Sequence, residues 1–130
     1  VVICPSTPIV SIGPILAVPG LRAAIAAAPG PVVVVSPIVG GEAIKGPAAL
    51  MMEGLGHEVS ALGVAWMYAG LADGIVIDEA DRDLAPAIET TGMRALVTDA
   101  IMRDDAGRER LAREVLDFAA ALAAAPSSAR

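Results

Sequence analysis

Val32-Val33-Val34-Val35-Ser36-Pro37 decides the fold class. Four β-branched residues in a row do not alternate with polar ones, so a strand here hides both faces, as strands do in a parallel sheet with helices on either side. The runs 1–4, 74–77 and 94–98 have the same character. Each is followed by turn residues and a helical pattern, which predicts an α/β layer fold with a mostly parallel sheet. Pro19 suits the first turn of a helix over 21–28 that stops before Pro29-Gly30, and Ser60 is the expected N-cap of a helix over 61–71. Asp83 is expected to cap a helix that carries Pro86 and ends at Gly92. The stretch 105–124 places Leu111, Val115, Phe118 and Leu122 on one stripe, which should pack inward. The segment 126–130 has no apolar pattern and is expected to be a mobile tail. No internal repeat of fixed period occurs.

The 130 residues suit one domain or part of one. Hydrophobic residues make up 55 % and charged ones 18 %, with 27 alanines and three aromatic residues. Such a chain folds by close packing of backbone layers and is not disordered. A net charge of −6 leaves no basic surface to neutralise many phosphates, so no nucleic-acid partner is expected, while a small specific anion still is possible. One cysteine, Cys4, makes neither an internal disulfide nor a cysteine-based zinc site, and a cytoplasmic location is the default expectation. The mean hydropathy of +0.67 suggests a membrane. Prolines cut the apolar stretches before any reaches about 18 residues, so no membrane partner is expected. The start, Val1-Val2-Ile3-Cys4, reads as a buried strand entered midway, and a fragment is expected.

In an open parallel sheet, ligands bind beyond the carboxyl ends of the strands. After the first strand, Pro5-Ser6-Thr7-Pro8 and Ser11-Ile12-Gly13-Pro14 offer hydroxyls and backbone N–H groups for an anion, or a proline-stiffened loop with local caps. After the second, Ser36-Pro37-Ile38-Val39-Gly40-Gly41 is followed by Lys45, the sole lysine. Glycines let backbone approach a phosphate and a lysine adds a mobile point charge, although the spacing is not that of a P-loop and such turns also occur without a ligand. Asp78-Glu79-Ala80-Asp81 after the third strand offers hard oxygens for Mg2+ but reads better as a solvated turn and helix cap. Asp99 after the fourth is equally ambiguous. His57 reads as an exposed loop residue between two helical patterns, Trp66 and Tyr68 as packing, and Cys4 as a buried small hydrophobe.

Taken together, Pro5-Ser6-Thr7-Pro8, Ser11-Ile12-Gly13-Pro14-Ile15-Leu16 and Pro19-Gly20-Leu21-Arg22 resemble the 2-phospho-L-lactate transferase family, called CofD or, in actinobacteria, FbiA. The resemblance continues in order through Ser36-Pro37-Ile38-Val39-Gly40-Gly41, Lys45-Gly46-Pro47, Ser60-Ala61-Leu62-Gly63-Val64-Ala65, Asp73-Gly74 to Asp81, and Val97-Thr98-Asp99 to Met102-Arg103. It implies a Rossmann-like three-layer fold with a mostly parallel sheet, residues 1–125 being the C-terminal portion of one domain. It also implies a step in making coenzyme F-420. A phospho-linked three-carbon acid passes from a guanosine diphosphate donor to the hydroxyl of the deazaflavin Fo, with release of GMP, Mg2+ as metal and a possible homodimer. On this likeness Ser6, Thr7, Ser11, Gly13, Ser36, Gly40, Gly41 and Lys45 face the donor, and no metal ligand is assigned within this chain.

There are departures from the family pattern. Thr7 stands where Asn is usual and loses the amide's paired donor and acceptor, and Glu42 stands where a basic residue is common. The glycine-rich nucleotide turn and the metal- and deazaflavin-linked residues of the family belong to an N-terminal half not seen here, so the chain alone is expected to be inactive. A nucleotide-sugar-binding regulator of the gluconeogenesis-factor type shares the frame, but those relatives resemble G-P-G-S-[LI]-[YF]-T-S where this chain has Cys4-Pro5-Ser6-Thr7-Pro8. A dinucleotide enzyme of the Rossmann type lacks its glycine fingerprint here.

Overall fold

The computed structural model describes residues 1–125, so the tail expected over 126–130 lies outside the described residues. Four strands, β1 (Val2–Ile3), β2 (Val33–Val35), β5 (Gly74–Asp78) and β6 (Arg94–Thr98), form one parallel sheet in the order β1-β2-β5-β6. The register sets Val2 beside Val33, Val34 beside Ile75 and Ile75 beside Ala95. A separate two-stranded hairpin, β3 (Ile38–Val39) with β4 (Glu42–Ala43), leaves the end of β2. The helices are α1 (Gly13–Leu16), α2 (Leu21–Ala26), α3 (Ala48–Gly54), α4 (Ala61–Tyr68), α5 (Ala85–Glu89) and α6 (Asp105–Ala124). A π-helical turn, Pro8–Ile12, runs into α1, and a 3-10 turn, Glu79–Leu84, runs into α5.

The pleat sorts the apolar runs between two cores. Ile3, Val32, Val34, Ile75 and Ile77 face the larger one, which α3, α4 and α5 close with Met52, Val64, Ala65, Tyr68 and Ile88. Val33, Val35 and Val76 face the other, closed by Leu111 and Val115 of α6 with Phe118 and Leu122 beside them. The central strands β2 and β5 are thus covered on both faces, as the continuous runs predict, and the α6 stripe packs as expected. Burial pushes the Tyr68 phenol up to about 12. Asp73 ties the amino ends of the central strands together: its Oδ2 accepts from the Val32 N–H at 2.8 Å and its own N–H donates to the Val32 carbonyl.

Three local expectations need correction. Trp66 is 58 % exposed, because Ala61, Val64, Ala65 and Tyr68 form the inward stripe of α4 and Trp66 falls outside it. Cys4 is exposed: it follows the edge strand β1 on the α6 side, beside an open apolar groove of about 290 Å³ between β1 and Leu111, Val115 and Leu116. The helical stretch after β5 starts five residues earlier than predicted, capped by Asp78 and not Asp83. The hairpin has no counterpart in the sequence reading, while α3 is the helical pattern expected ahead of His57. No described helix is long and apolar enough to cross a membrane.

Ser60 caps α4 as predicted, its Oγ accepting from Gly63 N–H at 3.0 Å. That tight first turn brings Gly63 against the preceding loop, where an added Cβ would lie 1.9 Å from the Glu58 carbonyl oxygen. Gly63→Ala should therefore lose roughly 2–3 kcal/mol as the backbone shifts. Gly54→Ala meets nothing within 4 Å on a helical backbone. It should gain about 0.5 kcal/mol by restricting the unfolded chain. Urea unfolding midpoints of the two variants check both signs.

Candidate functional site

The polar residues that sequence singles out collect on the segments leaving the carboxyl ends of β1, β2, β5 and β6. Because β1 and β2 are neighbours, the segment 4–13 and the β3–β4 hairpin leave the sheet side by side. Their backbones are less available than the sequence suggests. The first segment is a π-helical turn and not an open loop: Ser11 and Ile12 N–H both donate to the Thr7 carbonyl, and Gly13 N–H to Pro8. Gly13 is explained by that turn, since a Cβ there would lie 2.9 Å from the Pro8 carbonyl oxygen. What remains open is the side chains. The hydroxyls of Ser6, Thr7 and Ser11 are half-buried and make no hydrogen bond to another described residue.

Ser36 stands differently. It is 1 % exposed, and its Oγ donates to the Ile38 carbonyl and accepts from Ile38 N–H, so it shapes the start of the hairpin. Gly40 and Gly41 turn the hairpin with φ of 59° and 82°, a left-handed pair that favours glycine at both positions. Ile44 N–H donates to the Pro37 carbonyl and closes the base, and Lys45 follows directly, exposed and in no ion pair among the described residues.

Of the acids after β5, Glu79 is solvated and Asp78 caps the next turn as predicted, but Asp78 and Asp81 are buried. Asp78 is 7 % exposed and Asp81 5 %. Asp78 Oδ1 accepts from Ala80 N–H at 3.0 Å and its Oδ2 from Ala100 N–H at 2.9 Å, so it caps the next turn and also ties β5 to the segment after β6. Asp81 sends both oxygens to the Gly40 N–H, each at 3.1 Å. Burial pushes the Asp81 carboxyl above the usual range, the Gly40 N–H opposes this, and the charge of Asp78 adds to it. No local signal in the sequence pairs Asp81 with a glycine 41 residues earlier. At the end of β6, Arg103 donates to Asp99 at 2.7 Å and holds its carboxyl below the usual range, assisted by Ile101 N–H and Arg110. Arg110 also donates to the Asp99 carbonyl and to Glu114, which accepts from the Thr98 hydroxyl. This clamp from β6 to α6 was likewise not anticipated.

The acids do not fit a Mg2+ site. Both oxygens of Asp78 and both of Asp81 serve backbone N–H groups, and no group of three His, Cys, Asp or Glu among the described residues could hold a metal ion. Among the described residues this end of the sheet thus carries three hydroxyls without a hydrogen-bond partner on one segment and an ammonium without an ion pair on the next.

Residues 1–116 match the family described as 2-phospho-L-lactate transferase CofD. A phosphoenolpyruvate transferase of Kitasatospora aureofaciens is 43 % identical over 116 residues, covering 88 % of this chain and 36 % of the relative. A 2-phospho-L-lactate transferase of Methanocaldococcus jannaschii is 39 % identical over 122 residues, covering 94 % and 38 %. A phosphoenolpyruvate transferase of Streptomyces griseus is 42 % identical over 120 residues, covering 92 % and 38 %. The chain therefore spans little more than a third of the length of these relatives.

The two shifted carboxyls act on stability in opposite senses. Asp99, lowered by Arg103, contributes stability above the unfolded-state pKa and loses it as pH falls through its folded value. Asp81, raised by burial, carries a cost at neutral pH that disappears as pH falls and the carboxyl takes up its proton. Asp81→Asn removes that cost at all pH values. Its stability relative to the wild type should therefore climb as pH rises from the acid side of the carboxylate range to neutrality, as read from urea midpoints. Asp99→Asn should show the opposite trend.

Proposed function

Because the chain belongs to the 2-phospho-L-lactate transferase (CofD) family, we propose that it forms the donor-binding portion of a transferase that acts in making coenzyme F-420. The donor is a guanosine diphosphate ester of a three-carbon acid, whose distal phosphate and acid together make up the phosphoenolpyruvate or 2-phospholactate group that the relatives' names carry. The acceptor is the hydroxyl of the deazaflavin Fo. That oxygen attacks the phosphorus carrying the acid, the bond from this phosphorus to the oxygen bridging it to GMP breaks, GMP leaves with the bond's electron pair, and the hydroxyl proton is lost to solvent or a base. Catalysis of such a transfer rests mainly on positioning and on neutralising phosphate charge.

The observation that carries the reading is the ordered family match over residues 1–116, in which the unengaged Ser6, Thr7 and Ser11 and the unpaired Lys45 lie on adjacent segments at the carboxyl ends of β1 and β2. On this reading the hydroxyls orient the diphosphate, and Lys45 supplies a point charge to it. Gly13, Gly40, Gly41 and Ser36 set the backbone that presents them. Any Mg2+ the reaction uses is bound by residues outside this segment, and no step is assigned to it here.

The test is to express the complete gene product that contains these residues and to follow GMP release from Fo and each guanosine diphosphate donor with Mg2+ present. Turnover with one donor supports the reading, and absence of turnover together with tight binding of a uridine diphosphate sugar overturns it in favour of a nucleotide-sugar regulator. Lys45→Ala should raise the donor KM by about ten- to a hundredfold, the equivalent of the roughly 1.5–3 kcal/mol carried by a hydrogen bond to a charged group. An unchanged donor KM and kcat would remove Lys45 from the site.

A further inference from the structure

The Gly40–Gly41 turn is a candidate site element whose tip is held from outside its own segment. A two-residue hairpin with strands as short as β3 and β4 does not hold a single conformation in water unaided. Here its base is closed by Ile44 N–H on Pro37 and its start by Ser36 Oγ on Ile38. Its tip is fixed by a residue of another element: the Asp81 carboxylate accepts from Gly40 N–H with both oxygens. Asp81 is itself held, standing in a turn whose cap, Asp78, is bonded to Ala80 and Ala100. The hydrogen bond has two consequences. It spends the Gly40 N–H, so that group is not a donor to phosphate in this conformation, and it anchors the hairpin to the end of the central strand β5.

We propose that Asp81 is a positioning residue, whose buried carboxylate locks the Gly40–Gly41 turn onto the carboxyl end of β5 and so fixes the hairpin from which Lys45 is presented to the donor. The inference rests on the donor reading above. It reassigns Gly40 from ligand contact to anchor point and gives the buried Asp81 a task that neither a metal site nor a helix cap explains.

The experiment uses the complete gene product with Asp81→Ser, which removes both carboxylate oxygens and leaves only a hydroxyl one bond nearer the backbone, and Asp81→Asn, which keeps one. Hydrogen exchange is read by mass spectrometry on residues 38–44, with residues 74–78 of β5 as the control for an intact core. Asp81→Ser should speed exchange of the hairpin about tenfold, as expected when one anchoring bond of a locally opening unit is lost. It should leave the core unchanged and raise the donor KM several-fold, while kcat stays within about twofold. Asp81→Asn should return both hairpin exchange and donor KM most of the way to the wild type. Hairpin exchange equal to the wild type overturns the inference, as does loosening of the core along with the hairpin, which would make Asp81 a general stability residue. If the hairpin loosens and only Lys45→Ala alters the donor KM, the positioning role fails and the donor reading stands. If neither Asp81→Ser nor Lys45→Ala alters it, the donor reading has failed and takes the inference with it.

Discussion

The structure depends on the side-by-side burial of β2 and β5. Val33, Val34 and Val35, and opposite them Ile75 and Val76, are at most 3 % exposed, so neither face of either strand can carry a polar side chain without a buried partner. Everything with chemistry is displaced to the strand ends. At the amino ends this gives the Asp73 clamp on Val32, and at the carboxyl ends it gives the Ser36, Asp78 and Thr98 contacts. The same constraint explains Gly74, where a Cβ would come within 2.7 Å of the Phe118 ring, so that α6 lies directly on the sheet.

Polar groups at the carboxyl ends thus divide into two populations. One population is consumed in building the end of the sheet. Asp78 satisfies two N–H groups from different segments, Asp81 one from the hairpin, and Ser36 both donates to and accepts from Ile38. These residues have the composition of a ligand site without being available to a ligand. The other population, Ser6, Thr7, Ser11 and Lys45, has the same composition and no partner among the described residues. Of the two groups, the second is the one whose hydrogen-bonding capacity the fold does not use.

What the sequence made legible follows from range. The four strands were readable because double burial leaves a local trace, an unbroken β-branched run, and the cap at Ser60 because it lies three residues from Gly63. The hairpin was hidden because Ile38–Val39 and Glu42–Ala43 are too short to show a period, and the helical pattern ahead of His57 had no readable start because α3 follows Gly46-Pro47 without a capping side chain. Trp66 and Cys4 were misjudged for a related reason. Apolar character says that a residue can be buried, while exposure depends on which side of the helix or edge strand it occupies and on what covers that side. The link from Asp81 to Gly40 joins two segments that are adjacent only because β2 pairs with β5, so topology had to be known first.

Charge at the same end of the sheet is arranged with similar economy. A chain of net charge −6 attracts an anionic donor only where the local field departs from the overall one. Arg82, after β5, is paired with Glu79, and Arg103, after β6, with Asp99. These pairs cancel at short range and contribute little field beyond a Debye length. Lys45, after β2, is in no ion pair among the described residues and stands on a hairpin whose tip is tied to the central strand. Unlike the paired arginines, its charge has no partner at short range among the described residues, and the hairpin that precedes it is tied at its tip to the turn after the central strand.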